Sequence, residues 1–261
     1  MGKIYTALGL MSGTSMDGVD ASIIQTDGKS KYKAILDKYF KYPENIYNDL
    51  TILRDKVKTP TDLKKHQKKI KSVEKSITIF HAESVDKILK KTRQNVDFIG
   101  FHGQTIFHNA AVKITKQLGD AKLLSKLTKK KVIYNFRQND LKNGGEGAPL
   151  VPIFHEMLQK KFNIKPLSFF NIGGILNRTT ICDNGELSAA DCGPGMCLID
   201  KWIRTNSKKK YDKNGAIAKA GKVNKKILEK YYNYFIAFNL GKKSYDTNDF
   251  SISIVKNLSL K

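Results

Sequence analysis

Cysteine is scarce in this chain, and so is arginine. The three cysteines, Cys182, Cys192 and Cys197, fall in one stretch. Their odd number rules out complete pairing, and they lack the spacing of a structural zinc site. Reduced, partly buried thiols in a cytoplasmic protein are expected. Arginine occurs only at positions 54, 93, 137, 178 and 204, although the chain carries 47 basic residues against 24 acidic ones and a net charge of +23. Such a charge ordinarily points to nucleic acid or an anionic membrane surface. The shortage of Arg, the residue suited to bidentate contacts, argues against a specific nucleic-acid interface. The lysines are also dispersed rather than clustered with aromatics, so only weak attraction to polyanions at low salt is expected. No run of about eighteen apolar residues exists, which excludes an expected membrane-spanning helix. The first residues lack a signal-peptide layout. Met1 to Thr6 fits the loose myristoylation pattern, but the same residues are needed as the first core strand. No low-complexity linker is visible.

What remains is a 261-residue chain, 40% apolar, able to bury one large core or two modest ones. Ile4 to Leu10 reads as a strand, and Val19 to Thr26 as a second. Between them lies Met11-Ser12-Gly13-Thr14-Ser15-Met16-Asp17-Gly18. Gly13 and Gly18 suit a tight turn and close approach to a ligand. Ser12, Thr14 and Ser15 offer hydroxyl and main-chain donors to phosphate oxygens. Asp17 repels phosphate, and makes sense beside it only with Mg²⁺ between them. A plain Gly/Ser-rich turn with an Asx-turn at Asp17 is the competing reading.

Downstream, Lys33 to Tyr39 suggests a third strand, and Pro43 to Arg54 a helix. Thr59-Pro60-Thr61-Asp62 is a helix start. The spacing of Leu63, Ile70, Val73, Ile77, Phe80, Ile88 and Leu89 predicts one long helix to about Lys91. Val96 to Phe101 reads as a strand ending at His102. Asp120 should cap a helix to about Leu127, and Val132 to Phe136 is a strand. A loop from Gly144 to Pro149 leads into a helix to Lys160. Leu167 to Ile172, Gly173-Gly174 and Leu176 to Ile181 form a second strand–glycine–strand unit that echoes the first. The expected class is α/β, with lobes at 1–130 and 131–261.

Several segments together resemble the anhydro-N-acetylmuramic acid kinases, sugar kinases of the actin/hexokinase/Hsp70-like superfamily. The first is Met11 to Asp20. His102-Gly103-Gln104-Thr105 resembles the family's His-Gly-Gln-Thr, and Gly144 to Pro152 its Gly-Gly-x-Gly-Ala-Pro-Leu-Val-Pro. Asn171 to Ile175 resembles Asn-Ile-Gly-Gly-Ile, Asp191 to Gly195 resembles Asp-Thr-Gly-Pro-Gly, and Tyr211-Asp212-Lys213 resembles Tyr-Asp-Lys. The resemblance implies a two-lobed actin-like ATPase (ribonuclease H-like) fold, with ATP and Mg²⁺ in the cleft between lobes.

The resemblance further implies a cytoplasmic enzyme of peptidoglycan recycling. It opens the 1,6-anhydro ring of anhydro-N-acetylmuramic acid with water and phosphorylates O6. Its partner is a small-molecule sugar, and a homodimer is possible. Asp191 is the expected catalytic base. Gly13, Thr14, Ser15, Met16, Asp17, Gly18, Val19, Asp20, Gly173 and Gly174 are the expected nucleotide contacts, with Asp17 holding the metal. His102, Gln104, Thr105 and Arg137 are the expected sugar contacts, Arg137 toward the lactyl carboxylate.

The family pattern is broken by Cys192 for Thr, Met196 for Asn and Asn135 for Asp. Lys242 to Asp249 matches a Pro-Lys-Ser-Thr-Gly-Arg-Glu segment only faintly. The second lobe is expected to be incomplete, with Ser251 to Leu260 a frayed or rewired tail. An inactive remnant that still binds sugar or a partner is therefore the alternative reading.

Overall fold

The opening three strands form an antiparallel meander, and the first two of them bury alternate residues along their length. In the computed structural model, which describes residues 2–237 and 244–250, β1 (Tyr5–Ser12) buries Leu8 and Leu10, and β2 (Gly18–Thr26) buries Val19, Ala21 and Ile23. Such period-two burial is what one covered sheet face requires. β3 (Tyr32–Lys41) continues the meander. β4 (Phe98–Asn109) then pairs parallel with β1, and β6 (Lys131–Tyr134) pairs parallel with the first half of β4. The order β3-β2-β1-β4-β6, with β2 antiparallel to its neighbours, is ribonuclease H-like. β5 (Ile114–Leu118) folds back as a hairpin on the second half of β4.

Helices α1 (Glu44–Lys56), α3 (Gln67–Leu89) and α4 (Ala121–Thr128) cover this sheet. They contribute Leu50, Leu53, Val73, Ile77, Ile88 and Leu124 to its core. Burying such a side chain is worth roughly 1.5–3 kcal/mol before entropy is subtracted. Thr59 caps α2 (Pro60–Lys65) in a reciprocal capping box with Asp62, and Asp120 caps α4 through Leu123 N–H at 2.9 Å. The single helix expected over 60–91 is two: α2 and α3 meet at His66, whose backbone leaves the helical region.

β4 is also longer than expected, because Gly103 does not end the strand. The β1–β4 register shifts between Leu10 and Ser12, and Gly103 sits at φ +72°. One extra residue is thereby accommodated in β4, and the strand continues beyond it with its side chains re-aimed.

The chain divides into two compact units, residues 1–164 and 165–261. β6 belongs to the first sheet, so the residues just after 130 stay with the first unit. α5 (Phe136–Lys142) and α6 (Pro152–Phe162) complete that unit. In the second unit, β7 (Leu167–Ile172), β8 (Ile175–Ile181) and β9 (Leu187–Pro194) form another antiparallel meander. It repeats the plan of β1-β2-β3. α7 (Cys197–Asn206) follows it. Asp212 then caps α8 (Ala216–Ala220) by accepting from Ile217 and Ala218 N–H at 2.9 Å each, bonds that draw its carboxyl below the usual range. Lys242, Lys243 and the stretch 251–260 lie outside the described residues. Among the described residues no helix is long and apolar enough to cross a membrane.

Candidate functional site

The loop between β1 and β2 is hydrogen-bonded and packed on its inner side and polar on its outer side. Met16 N–H donates to the Gly13 carbonyl at 3.1 Å, which closes a turn. Met16 itself adopts φ +58° and drives its side chain into the core, 2% exposed. Thr14, Ser15 and Asp17 stay exposed at the apex, where the Ser15 hydroxyl donates to the Asp17 carboxylate. Asp20 stands next along β2. Its carboxyl is pushed up, first by partial burial and then by the charge of Asp17. Two mutually repelling carboxylates beside exposed hydroxyls suit a cation shared with phosphate oxygens. Among the described residues no cluster of three or more acidic, His or Cys side chains could hold a metal.

Not every residue expected on this loop can reach a ligand through its side chain. Met16 and Val19 are core residues. Ser12 is buried too, so its hydroxyl is not a phosphate donor. Gly18 is required by β3: a Cβ there would lie 2.4 Å from the Phe40 carbonyl oxygen and 2.6 Å from the Tyr39 ring. What the loop presents outward is Thr14, Ser15, Asp17 and the backbone around Gly13.

The expected sugar contacts separate into two pairs. Gln104 is fully buried, and its amide donates to the Gly13 carbonyl at 3.0 Å and the Thr105 carbonyl at 3.2 Å. Thr105 accepts from Gln117 across the β4–β5 hairpin at 3.2 Å. Gln104 is engaged inside the protein, because the bulge at Gly103 turns it toward β1, while half-buried Thr105 is engaged on the hairpin. His102 and Arg137 are brought together instead. Arg137 Nε donates to His102 Nε2 at 2.7 Å, and Arg137 NH1 donates to the Gly147 carbonyl at 2.8 Å. The His102 Nδ1–H then donates to the Gly103 carbonyl at 2.7 Å, which fixes the tautomer. Burial, followed by the Arg137 charge, pulls the His102 pKa down to about 4, so the ring is neutral.

His102 forms one wall of an open groove of about 910 Å³, with Tyr134, Asn135, Phe136, Asn139 and Leu150 among the others. Aromatic faces beside amide groups suit a polyhydroxylated ligand. The loop after α5 is held by that helix. The Asp140 carboxylate accepts from Gly147 N–H at 2.7 Å, and its main chain accepts from Gly145 N–H at 2.9 Å.

In the second unit Asp191 is buried, 5% exposed, on β9. Its Oδ2 accepts from the Tyr245 N–H at 2.8 Å and the Ser244 hydroxyl at 3.3 Å. Ser244 and Tyr245 escaped the sequence reading, because no local pattern pairs positions so far apart in the chain. Just beyond Asp191 the chain locks onto the β7–β8 turn. Gly195 N–H donates to the Gly174 carbonyl at 3.0 Å, and Met196 N–H to the Gly173 carbonyl at 2.7 Å. A Cβ on Gly195 would lie 2.2 Å from the Gly173 oxygen, so only glycine fits. The glycine pair and the Asp-Cys-Gly-Pro-Gly segment are therefore one structural unit. Cys192 places its thiol 3.7 Å from the Ala190 carbonyl.

Comparison with known proteins shows the family. The sequence profile described as "Anhydro-N-acetylmuramic acid kinase" matches residues 5–255. The chain belongs to the anhydro-N-acetylmuramic acid kinase family. A relative of that name from Pelagibacter ubique (strain HTCC1062) is 51% identical, over 99% of this chain and 70% of its own length. Relatives of the same name from Agrobacterium fabrum and Zymomonas mobilis are 38% and 37% identical, over 96% and 98% of this chain and 69% and 71% of their own lengths. All the segments singled out above, from the Gly13 loop to the Tyr211-Asp212-Lys213 stretch, lie within the family match. The mixed α/β architecture is that of a sugar kinase of this family.

Proposed function

We infer that this protein is an ATP-dependent kinase that opens the 1,6-anhydro ring of anhydro-N-acetylmuramic acid and phosphorylates O6. The product is N-acetylmuramic acid 6-phosphate, formed in the cytoplasm during peptidoglycan recycling. The observation that carries the reading is the family match over residues 5–255. Asp191 is the base: it takes a proton from water as the water oxygen bonds to the anomeric carbon. The C1–O6 bond breaks, and the freed O6 accepts the phosphoryl group. Bound Mg²⁺–ATP supplies that group and neutralises its charge.

The chain's own work is positioning. Tyr245 N–H and Ser244 hold the Asp191 carboxylate in place. Thr14, Ser15 and the backbone near Gly13 orient phosphates, with Asp17 on the ion. Gly173 and Gly174 offer main-chain groups at a turn pinned by Met196. His102, kept neutral, and Arg137 shape the groove for the sugar.

The test is transfer of ³²P from ATP to 1,6-anhydro-N-acetylmuramic acid. Wild-type protein should label the sugar. Asp191→Asn keeps an acceptor for Tyr245 N–H but loses the base, and should lower kcat by about 10²–10⁴-fold. Folded wild-type protein that transfers no label would overturn the assignment.

A further inference from the structure

We propose that Gln104 is a positioning residue for the nucleotide, acting through a buried polar bracket it forms with Ser12 and Tyr42. The proposal rests on the nucleotide reading of the β1–β2 loop and adds what fixes that loop.

The bracket grips both shoulders of the loop. Gln104 Nε2 holds the Gly13 carbonyl at its start, at 3.0 Å. The Ser12 hydroxyl has two acceptors in reach, Gln104 Oε1 at 2.6 Å and the Gly18 carbonyl at the loop's end at 2.9 Å. Tyr42 donates its hydroxyl to Ser12 Oγ at 3.1 Å, and its N–H to the Asp17 carbonyl at 2.8 Å. Burial pushes the Tyr42 phenol well above its ordinary pKa, so it remains a donor. All three side chains are buried.

A buried primary amide is costly unless its groups are bonded. Here both ends of the Gln104 amide are engaged, and the chain elements they join are β4 and the loop. The bonds fall on loop carbonyls, which leaves the outward face to Thr14, Ser15 and Asp17. The bulge at Gly103 is what aims Gln104 inward. A Cβ on Gly103 would meet the Leu118 carbonyl oxygen at 2.3 Å, so the bulge is held by packing as well as by φ +72°. His-Gly-Gln-Thr is, on this view, a bulge with a groove-lining histidine before it and a loop brace after it.

The full chain is tested as wild type, Gln104→Met and Tyr42→Phe, each checked for folding by circular dichroism and thermal melting. Initial rates are measured with Mg–ATP and anhydrosugar varied in turn. Calorimetry measures binding of the magnesium complex of a non-hydrolysable ATP analogue. Loss of one bracing bond with its partner left buried should raise the nucleotide KM and the analogue Kd about tenfold in Gln104→Met, and a few-fold in Tyr42→Phe. The sugar KM should stay within about twofold of wild type. Folded variants with unchanged nucleotide constants, or with both KM values raised alike, overturn the proposal. A lowered melting temperature without the nucleotide-specific change does so too. If Gln104→Met does not fold, Tyr42→Phe decides alone. Wild-type protein that binds no analogue removes the nucleotide reading as well. Wild-type binding with unaffected variants removes the bracket only.

Discussion

Arg137 Nε and His102 Nε2 lie 2.7 Å apart, and the same guanidinium reaches the Gly147 carbonyl at 2.8 Å. One side chain on α5 thus ties the end of the first half of β4 to the glycine-rich loop after α5. A planar guanidinium can hold two acceptors in fixed directions, which a lysine ammonium on a flexible stem does not reproduce. Arg137→Lys should therefore loosen the loop at residues 144–149. Limited proteolysis should show faster cleavage there than in wild type. The sugar KM should rise roughly tenfold, the effect of one well-aligned charged hydrogen bond. Unchanged cleavage and an unchanged sugar KM would show that the loop is held by Asp140 alone.

Two histidines should make the fold acid-sensitive. His81 on α3 is fully buried, with its Nδ1 2.7 Å from the Ile77 carbonyl and its ring edge-on to Phe101. Burial lowers its pKa to about 4, opposed by the Ile77 hydrogen bond. His102 is lowered similarly. Both values lie below the ordinary histidine value, so between about pH 6.5 and 4 the unfolded chain binds protons that the native chain does not. Stability is full above that window and is lost as pH falls through it. At 1.36 kcal/mol per pKa unit, His81 alone contributes on the order of 3 kcal/mol of this loss. Urea titrations at pH 7 and pH 4.5 should show a lower midpoint at the acid pH. His81→Leu should shrink the difference. A midpoint independent of pH in wild type would contradict the burial of both rings.

Much of the fold could be read from the sequence because its signals are local. The short apolar runs of Ile4 to Leu10 and Val19 to Thr26, and the caps at Thr59 and Asp120, act within a few residues. The second half of β4 was hidden by Gly103, since a glycine inside a strand pattern reads equally as an end or a bulge. Only the neighbouring Leu118 backbone decides between them. α5 was hidden because Phe136 prolongs the apolar run of β6, while Asn135 at φ +62° turns the chain out of the strand.

The candidate site was legible by type more than by role. The Thr14-Ser15-Asp17 apex keeps the exposed polar character that its residues suggest. Ser12, Met16 and Gln104 looked as available as Thr14 and Thr105, and burial removes their side chains from the surface. Burial is a long-range property: Ser12 and Gln104 meet only because β1 and β4 pair in parallel. Asp191 was singled out through a motif, but its partners Ser244 and Tyr245 come from a segment that matches the family pattern only faintly.

The two closest glycine contacts among the described residues should respond differently to a methyl group. At Gly195 the added carbon would lie 2.2 Å from the Gly173 carbonyl oxygen and 3.2 Å from two backbone carbons. Both sides are main chain, and the Met196 and Gly195 hydrogen bonds run through the same contact. Relief requires separating the β7–β8 turn from the end of β9. At Gly145 the added carbon would also lie 2.2 Å from an oxygen, but that oxygen is Oδ2 of Asp140. A side chain can rotate away, at the cost of its bond to Gly147 N–H. Gly195→Ala is therefore expected to destabilise residues 165–261 by roughly 3 kcal/mol or more, in the range of severe overpacking. Gly145→Ala should cost about 1.5–3 kcal/mol at most, the loss of one charge-assisted hydrogen bond. Hydrogen exchange resolved by peptide would distinguish them. Gly195→Ala should raise exchange across β7, β8 and β9 while β1 to β4 stay protected, and Gly145→Ala should raise it only around residues 140–150. Equal, local effects from both substitutions would mean that the Gly173–Gly195 contact is less tight than its geometry indicates.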